Sequence, residues 1–157
     1  MFNLFTPMSH KNPLDPLLNI AMAMSTRHYE YYIEAAEQAQ TPKVKALLNV
    51  LADTERDLIA HIRHMMVTGI LDEIEVLERV TTDGTPPDDS PIATERIDTD
   101  PRIYVCNKAL EQEIKGYTFY LSLAARAKTD LVSRLFEYLA FVKSQQIEHI
   151  RKVCTTF

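Results

Sequence analysis

Residues Glu113–Ala140 read EIKGYTFYLSLAARAKTDLVSRLFEYLA, and residues Ser25–Ala52 read STRHYEYYIEAAEQAQTPKVKALLNVLA. Set one above the other, they align without a gap at an offset of 88 residues. Tyr29 falls on Tyr117, Tyr32 on Tyr120, Ala36 on Ala124, Ala39 on Ala127 and Thr41 on Thr129. Further on, Val44 falls on Val132, Leu47 on Leu135, and Leu51-Ala52 on Leu139-Ala140. His61-Ile62-Arg63 carries the register on to His149-Ile150-Arg151. One register held across two amphipathic segments and the turn between them implies a duplicated helical hairpin. The expected fold is therefore all-α, a four-helix bundle with a pseudo-two-fold axis through its core.

Helix starts are marked by chemistry. Asp15-Pro16, Thr41-Pro42 and Asp100-Pro101 each set a capping side chain before a proline suited to the first helical position, and Thr129 or Asp130 can cap a fourth helix. These signals predict helices near 16–40, 42–68, 101–128 and 130–155. The first hairpin spans about 16–68 and the second about 101–155, both in one domain of 157 residues. The junctions at 41 and 129 are too short for anything but antiparallel neighbours. Gly69 ends the second helix, or residues 70–80 extend it; the sequence leaves both open. Residues 81–100, with Gly84, Pro86, Pro87 and Pro91, read as a crossover loop. A helix of this length is ~37 Å long, and twenty extended residues reach up to ~70 Å. The loop can thus return along the whole bundle and set the third helix parallel to the second.

The charge distribution narrows the range of partners. The formal net charge is −5, and the segment Thr81–Asp100 accounts for all of it: six acids against Arg96. The rest of the chain is balanced and has no basic patch for nucleic acid or an anionic membrane. No apolar run approaches a membrane span. The first residues lack a basic stretch followed by an apolar one, so no secretory signal is expected. Cys106 and Cys154 form no CxxC pair and read as reduced, buried hydrophobes of a cytoplasmic protein, with a disulfide between them as the alternative.

Read at alternating steps of four and three, each helix shows an apolar stripe. The stripes are Leu18-Met22-Ser25-Tyr29-Tyr32-Ala36, Val44-Leu48-Leu51-Glu55-Leu58-Ile62-Met65, Cys106-Leu110-Glu113-Tyr117-Tyr120-Ala124 and Val132-Phe136-Leu139-Lys143-Gln146-Ile150-Val153. Glu55, Glu113, Lys143 and Gln146 interrupt them near mid-helix. By the repeat, Glu55 matches Lys143, Leu58 matches Gln146 and Ser25 matches Glu113, so all six belong at one depth. An unpaired buried carboxylate costs several kcal/mol on an order-of-magnitude estimate, so such a cluster must be paired or metal-bound. The Gln146 amide can donate to a carboxylate in such a network. A slight rotation that turns Glu55 or Glu113 to solvent is the bland alternative. The tyrosines of the stripes read as core packing with hydroxyls able to reach the carboxylates. His28 and His64 read as solvent-facing.

At these residues the chain resembles the rubrerythrin and ferritin-like family, over about 20–66 and 108–154. In that family each hairpin supplies a glutamate from its first helix and Glu-x-x-His from its second, and the six side chains hold two iron or manganese ions. Carried across by position, the first-helix glutamates are Ser25 and Glu113. The Glu-x-x-His pairs are Glu55/Leu58 and Lys143/Gln146. Two of six ligands remain, and one bridging carboxylate has become a lysine. The resemblance therefore implies a non-catalytic binding or structural module with a buried Glu-Lys-Gln cluster, no metal and no cofactor. The alternative is a rubrerythrin-like oxidoreductase or iron-handling protein with an altered iron or manganese site, using Glu55 and Glu113 with His61 or His149. In an antiparallel bundle those two histidines are displaced to opposite flanks, which argues against their convergence. Family bundles commonly pair side by side, so the resemblance also implies a homodimer, with the apolar segment Met1–Leu18 able to cover a neighbour.

Overall fold

The computed structural model describes residues 15–68 and 86–157. Within them the chain forms four α-helices: α1 (Asp15–Gln38), α2 (Pro42–Thr68), α3 (Pro101–Arg126) and α4 (Asp130–Cys154). One 3-10 turn, Thr94–Arg96, precedes α3, and there is no strand among the described residues. Most of the apolar N-terminal arm (residues 1–14), residues 69–80, where the sequence left the end of the second helix open, and the first part of the crossover lie outside the described residues.

The capping chemistry acts where two of the caps were expected. Asp100 accepts from the Arg102 backbone N–H at 3.0 Å, with Pro101 in the first helical position. Thr129 accepts from the Val132 N–H at 3.3 Å. Each satisfies a donor that helix geometry leaves unpaired. At α1 the described helix includes Asp15.

α1 packs along α2, and α3 along α4. The core divides into two apolar clusters at opposite ends. One joins Leu18 and Ala21 of α1, Leu58, Ile62 and Met65 of α2, Tyr120 and Ala124 of α3, and Leu135–Ala140 positions of α4. The other joins Tyr32 and Ala36, Val44–Ala52 positions, Cys106, Ala109 and Leu110, and Ile147, Ile150 and Cys154. The end of α2 thus meets the end of α3, so these two helices run in the same direction.

The described part of the crossover is pinned to the bundle. Asn107 accepts from the Ile92 N–H at 2.8 Å and donates to the Ile92 carbonyl at 3.0 Å. Arg151 donates to the carbonyls of Asp88 and Ser90. Arg96 donates to Asp100 and to the Phe157 carbonyl at the chain end.

Cys106 and Cys154 are joined by a disulfide, with their α-carbons 6.2 Å apart. The expectation of two reduced thiols is corrected here. Separation in sequence hid a contact that the α3–α4 hairpin creates, because the start of α3 and the end of α4 share one end of the bundle.

A charge-paired polar layer as candidate functional site

Between the two apolar clusters lies a polar layer. Ser25, Glu55, Glu113 and Lys143 are wholly buried, and His28 and Gln146 are each 6% exposed. Leu58 is buried among the apolar residues of one end. Each helix contributes through its stripe: Ser25 and His28 from α1, Glu55 from α2, Glu113 from α3, Lys143 and Gln146 from α4.

Lys143 is the hub. Its Nζ donates to Glu55 Oε2 and lies 3.3 Å from Glu113 Oε1. It also lies 3.0 Å from His28 Nδ1. An ammonium can only donate, so Nδ1 is the acceptor and the imidazole proton resides on Nε2. On the far side of Glu113, the Tyr32 hydroxyl donates to Oε2. Tyr120 instead donates to the Ala21 carbonyl at 3.4 Å.

His28 is the largest correction to the sequence reading, which turns it to solvent. The buried face of α1 is Leu18, Ala21, Ser25, His28, Tyr32 and Ala36, while Met22 and Tyr29 are only half-buried. The helix is rotated by part of a residue step relative to the stripe drawn from spacing alone. α3 shows the same rotation: Glu113, Gly116 and Tyr120 are buried and Tyr117 is half-buried. Gly116 is the repeat partner of His28 and was the available signal. A mid-helix glycine costs about 1 kcal/mol against alanine, and its missing side chain leaves room for a close approach. A Cβ at Gly116 would lie 3.1 Å from Lys143 Cε and 3.4 Å from His28 Cε1. The lysine stem therefore passes over Gly116 to reach the carboxylates.

The electrostatics follow from burial and proximity. Burial, then the Lys143 charge, lower the His28 pKa to about 3, so the ring is neutral. Burial pushes the Glu55 carboxyl up to about 7, with Lys143 pulling it down and Glu113 pushing it up. Burial alone would pull Lys143 down, but the Glu113 and Glu55 carboxylates outweigh it and hold the ammonium above its ordinary value. Burial and the Glu113 carboxylate raise the Tyr32 hydroxyl well above the usual range. Ser25 Oγ, Glu55 Oε1 and the Gln146 amide nitrogen lack a hydrogen bond, and Glu113 Oε1 is met only through its ion pair with Lys143. Gln146 therefore does not donate to the carboxylates, which corrects the sequence expectation.

His61 packs its ring on Tyr138 at 5.9 Å between centroids, and His149 is half-buried on α4. The histidine gathered with the glutamates is His28: its nitrogen and oxygens of Glu55 and Glu113 all lie within 4.8 Å of one another. His28 also lines an open cleft of about 480 Å³ between α1 and α3, bordered by Met24, Arg27, Tyr31, Gln112 and Lys115.

A dinuclear site does not fit these residues. Ser25, Leu58, Lys143 and Gln146 stand at four of the six positions where the resemblance calls for ligands, and two carboxylates cannot offset two divalent ions. No helix among the described residues is long and apolar enough to cross a membrane. No family model matches the chain, and neither does any curated protein or solved structure.

Proposed function

We propose that the chain is a ferritin-like four-helix bundle of two repeated hairpins in which a lysine-centred ion cluster has replaced the dinuclear metal site, and that it serves as a non-catalytic structural or binding module. The observation that carries this reading is the Lys143 ammonium, set among His28, Glu55 and Glu113. An internal cation supplies the charge that metal ions supply in the family the sequence resembles. The test is anomalous scattering at the iron and manganese edges from crystals of unmodified protein. The expected map has no peak in the layer; two peaks about 3.5–4 Å apart, the spacing of a two-metal site, would overturn the reading.

A metal-handling oxidoreductase is the second reading, and the gathering of His28, Glu55 and Glu113 favours it. Iron or manganese retained at one ion per chain would support it over the first. Side-by-side homodimers complete the proposal, checked by sedimentation at high concentration. The Cys106–Cys154 disulfide removes one ground for a cytoplasmic location, the reduced cysteines.

A further inference from the structure

The polar layer, read above as an ion cluster, also has the donor set of a different site. We propose that the bundle centre is a mononuclear site for a first-row divalent cation, with His28 Nδ1 and one oxygen each of Glu55 and Glu113 as protein donors, and that the Lys143 ammonium fills it as an internal plug. The inference rests on the lysine-centred reading and extends it: Lys143 is a metal-excluding residue, and His28 is a ligand outside the Glu and Glu-x-x-His pattern.

Geometry points to a single ion. The Lys143 Nζ has the imidazole nitrogen at 3.0 Å, a Glu55 oxygen in hydrogen-bond contact and a Glu113 oxygen at 3.3 Å. The His28 lone pair is thus already aimed at a cation. Once the ammonium is removed, two carboxylates and a neutral imidazole balance one divalent ion, whereas a second ion would leave the layer with an excess of two positive charges. One nitrogen and two oxygen donors suit zinc, cobalt, iron or manganese better than calcium or magnesium, which take oxygen donors. Ser25 Oγ and Glu55 Oε1 are fully buried in the layer without hydrogen-bond partners, and they can serve a metal-bound water or a further bond to the ion. Ion entry has a route, because His28 lines the cleft between α1 and α3.

The experiment titrates Co(II) alone into the full chain and into its Lys143→Ala and Lys143→Gln variants, read by visible absorption and melting temperature. Both variants should bind one Co(II) at least about 100-fold more tightly than the unsubstituted chain, since an ammonium a few ångströms from the ion opposes it. Adding His28→Ala to Lys143→Ala should weaken that binding at least about tenfold. Should a variant fail to fold alone, refolding with Co(II) should restore its helical circular dichroism, because ion binding is then coupled to folding. Absence of both binding and rescue overturns the proposal. Binding indifferent to His28, or equally tight in the unsubstituted chain, also overturns it. Each of these failures leaves the reading of an internal cation to stand or fall on the anomalous-scattering map.

Discussion

Lys143 is buried without exposure beside two buried carboxylates, so its loss exposes the cost of the whole layer. Lys143→Met should destabilise the protein by ~3–5 kcal/mol, because it strands an uncompensated buried charge; urea denaturation at pH 7.5 measures this. The pH dependence has a shape set by two opposed shifts. Glu55 has a folded pKa of about 7, above its ordinary 4.5, so its contribution is complete below pH 4.5 and is lost as pH rises through 7. His28 has a folded pKa of about 3, below its ordinary 6.5, so its contribution is present above 6.5 and is lost as pH falls through 3. Between roughly pH 4.5 and 6.5 the folded state keeps a proton on Glu55 that the unfolded chain keeps on His28, and the two slopes cancel. These two groups therefore give a plateau in that window, with stability falling on either side. Glu55→Gln should flatten the alkaline fall, and a fall that persists unchanged in that variant would assign it to another group. Gly116→Ala sets a helix-propensity gain of about 1 kcal/mol against overpacking of about 1–3 kcal/mol. The lysine stem is held at both ends, by its backbone and by the carboxylates, so a net loss of thermal stability is expected.

At the scale of elements, the starts of α3 and α4 were legible because Asp100-Pro101 and Thr129 carry their own chemistry. The apolar stripe of α2 was legible because Val44, Leu48, Leu51, Leu58, Ile62 and Met65 are closely spaced and strongly apolar; all are buried. The stripe of α1 was less so. Tyr29 is aromatic and His28 polar, so spacing alone favoured the former, although both lie at the edges of a broad face. Only the cross-helix contact between Lys143, Gly116 and His28 decides which of them turns inward. The disulfide was disfavoured in the sequence for a related reason, since 48 residues separate partners that only the completed hairpin brings together. It closes a loop whose constraint on the unfolded chain is worth about 4 kcal/mol. Paired Cys106→Ser and Cys154→Ser substitutions should lower the urea midpoint accordingly. Both sulfurs are buried, so reductant should act on the intact protein only after it opens.

For the molecule as a whole, the ungapped register of 88 residues relates Ser25 to Glu113, Glu55 to Lys143 and Leu58 to Gln146. The layer is thus asymmetric in charge at positions that the sequence register pairs. Restoring Ser25→Glu, Leu58→His, Lys143→Glu and Gln146→His together should recover binding of two divalent ions, measured by metal content after dialysis. Retention of fewer than two ions by a folded quadruple variant would count against the family frame. The same asymmetry bears on descent. Two identical hairpins meeting about a true two-fold axis must present the same side chain at positions 55 and 143: lysine against lysine, or glutamate against glutamate. The first repels itself, and the second needs a bound cation or a shared proton. A glutamate facing a lysine can arise only once the two copies are free to differ, as they are after fusion into one chain. On this view the Glu55–Lys143 contact is a pairing that two non-identical hairpins can make and two identical ones cannot.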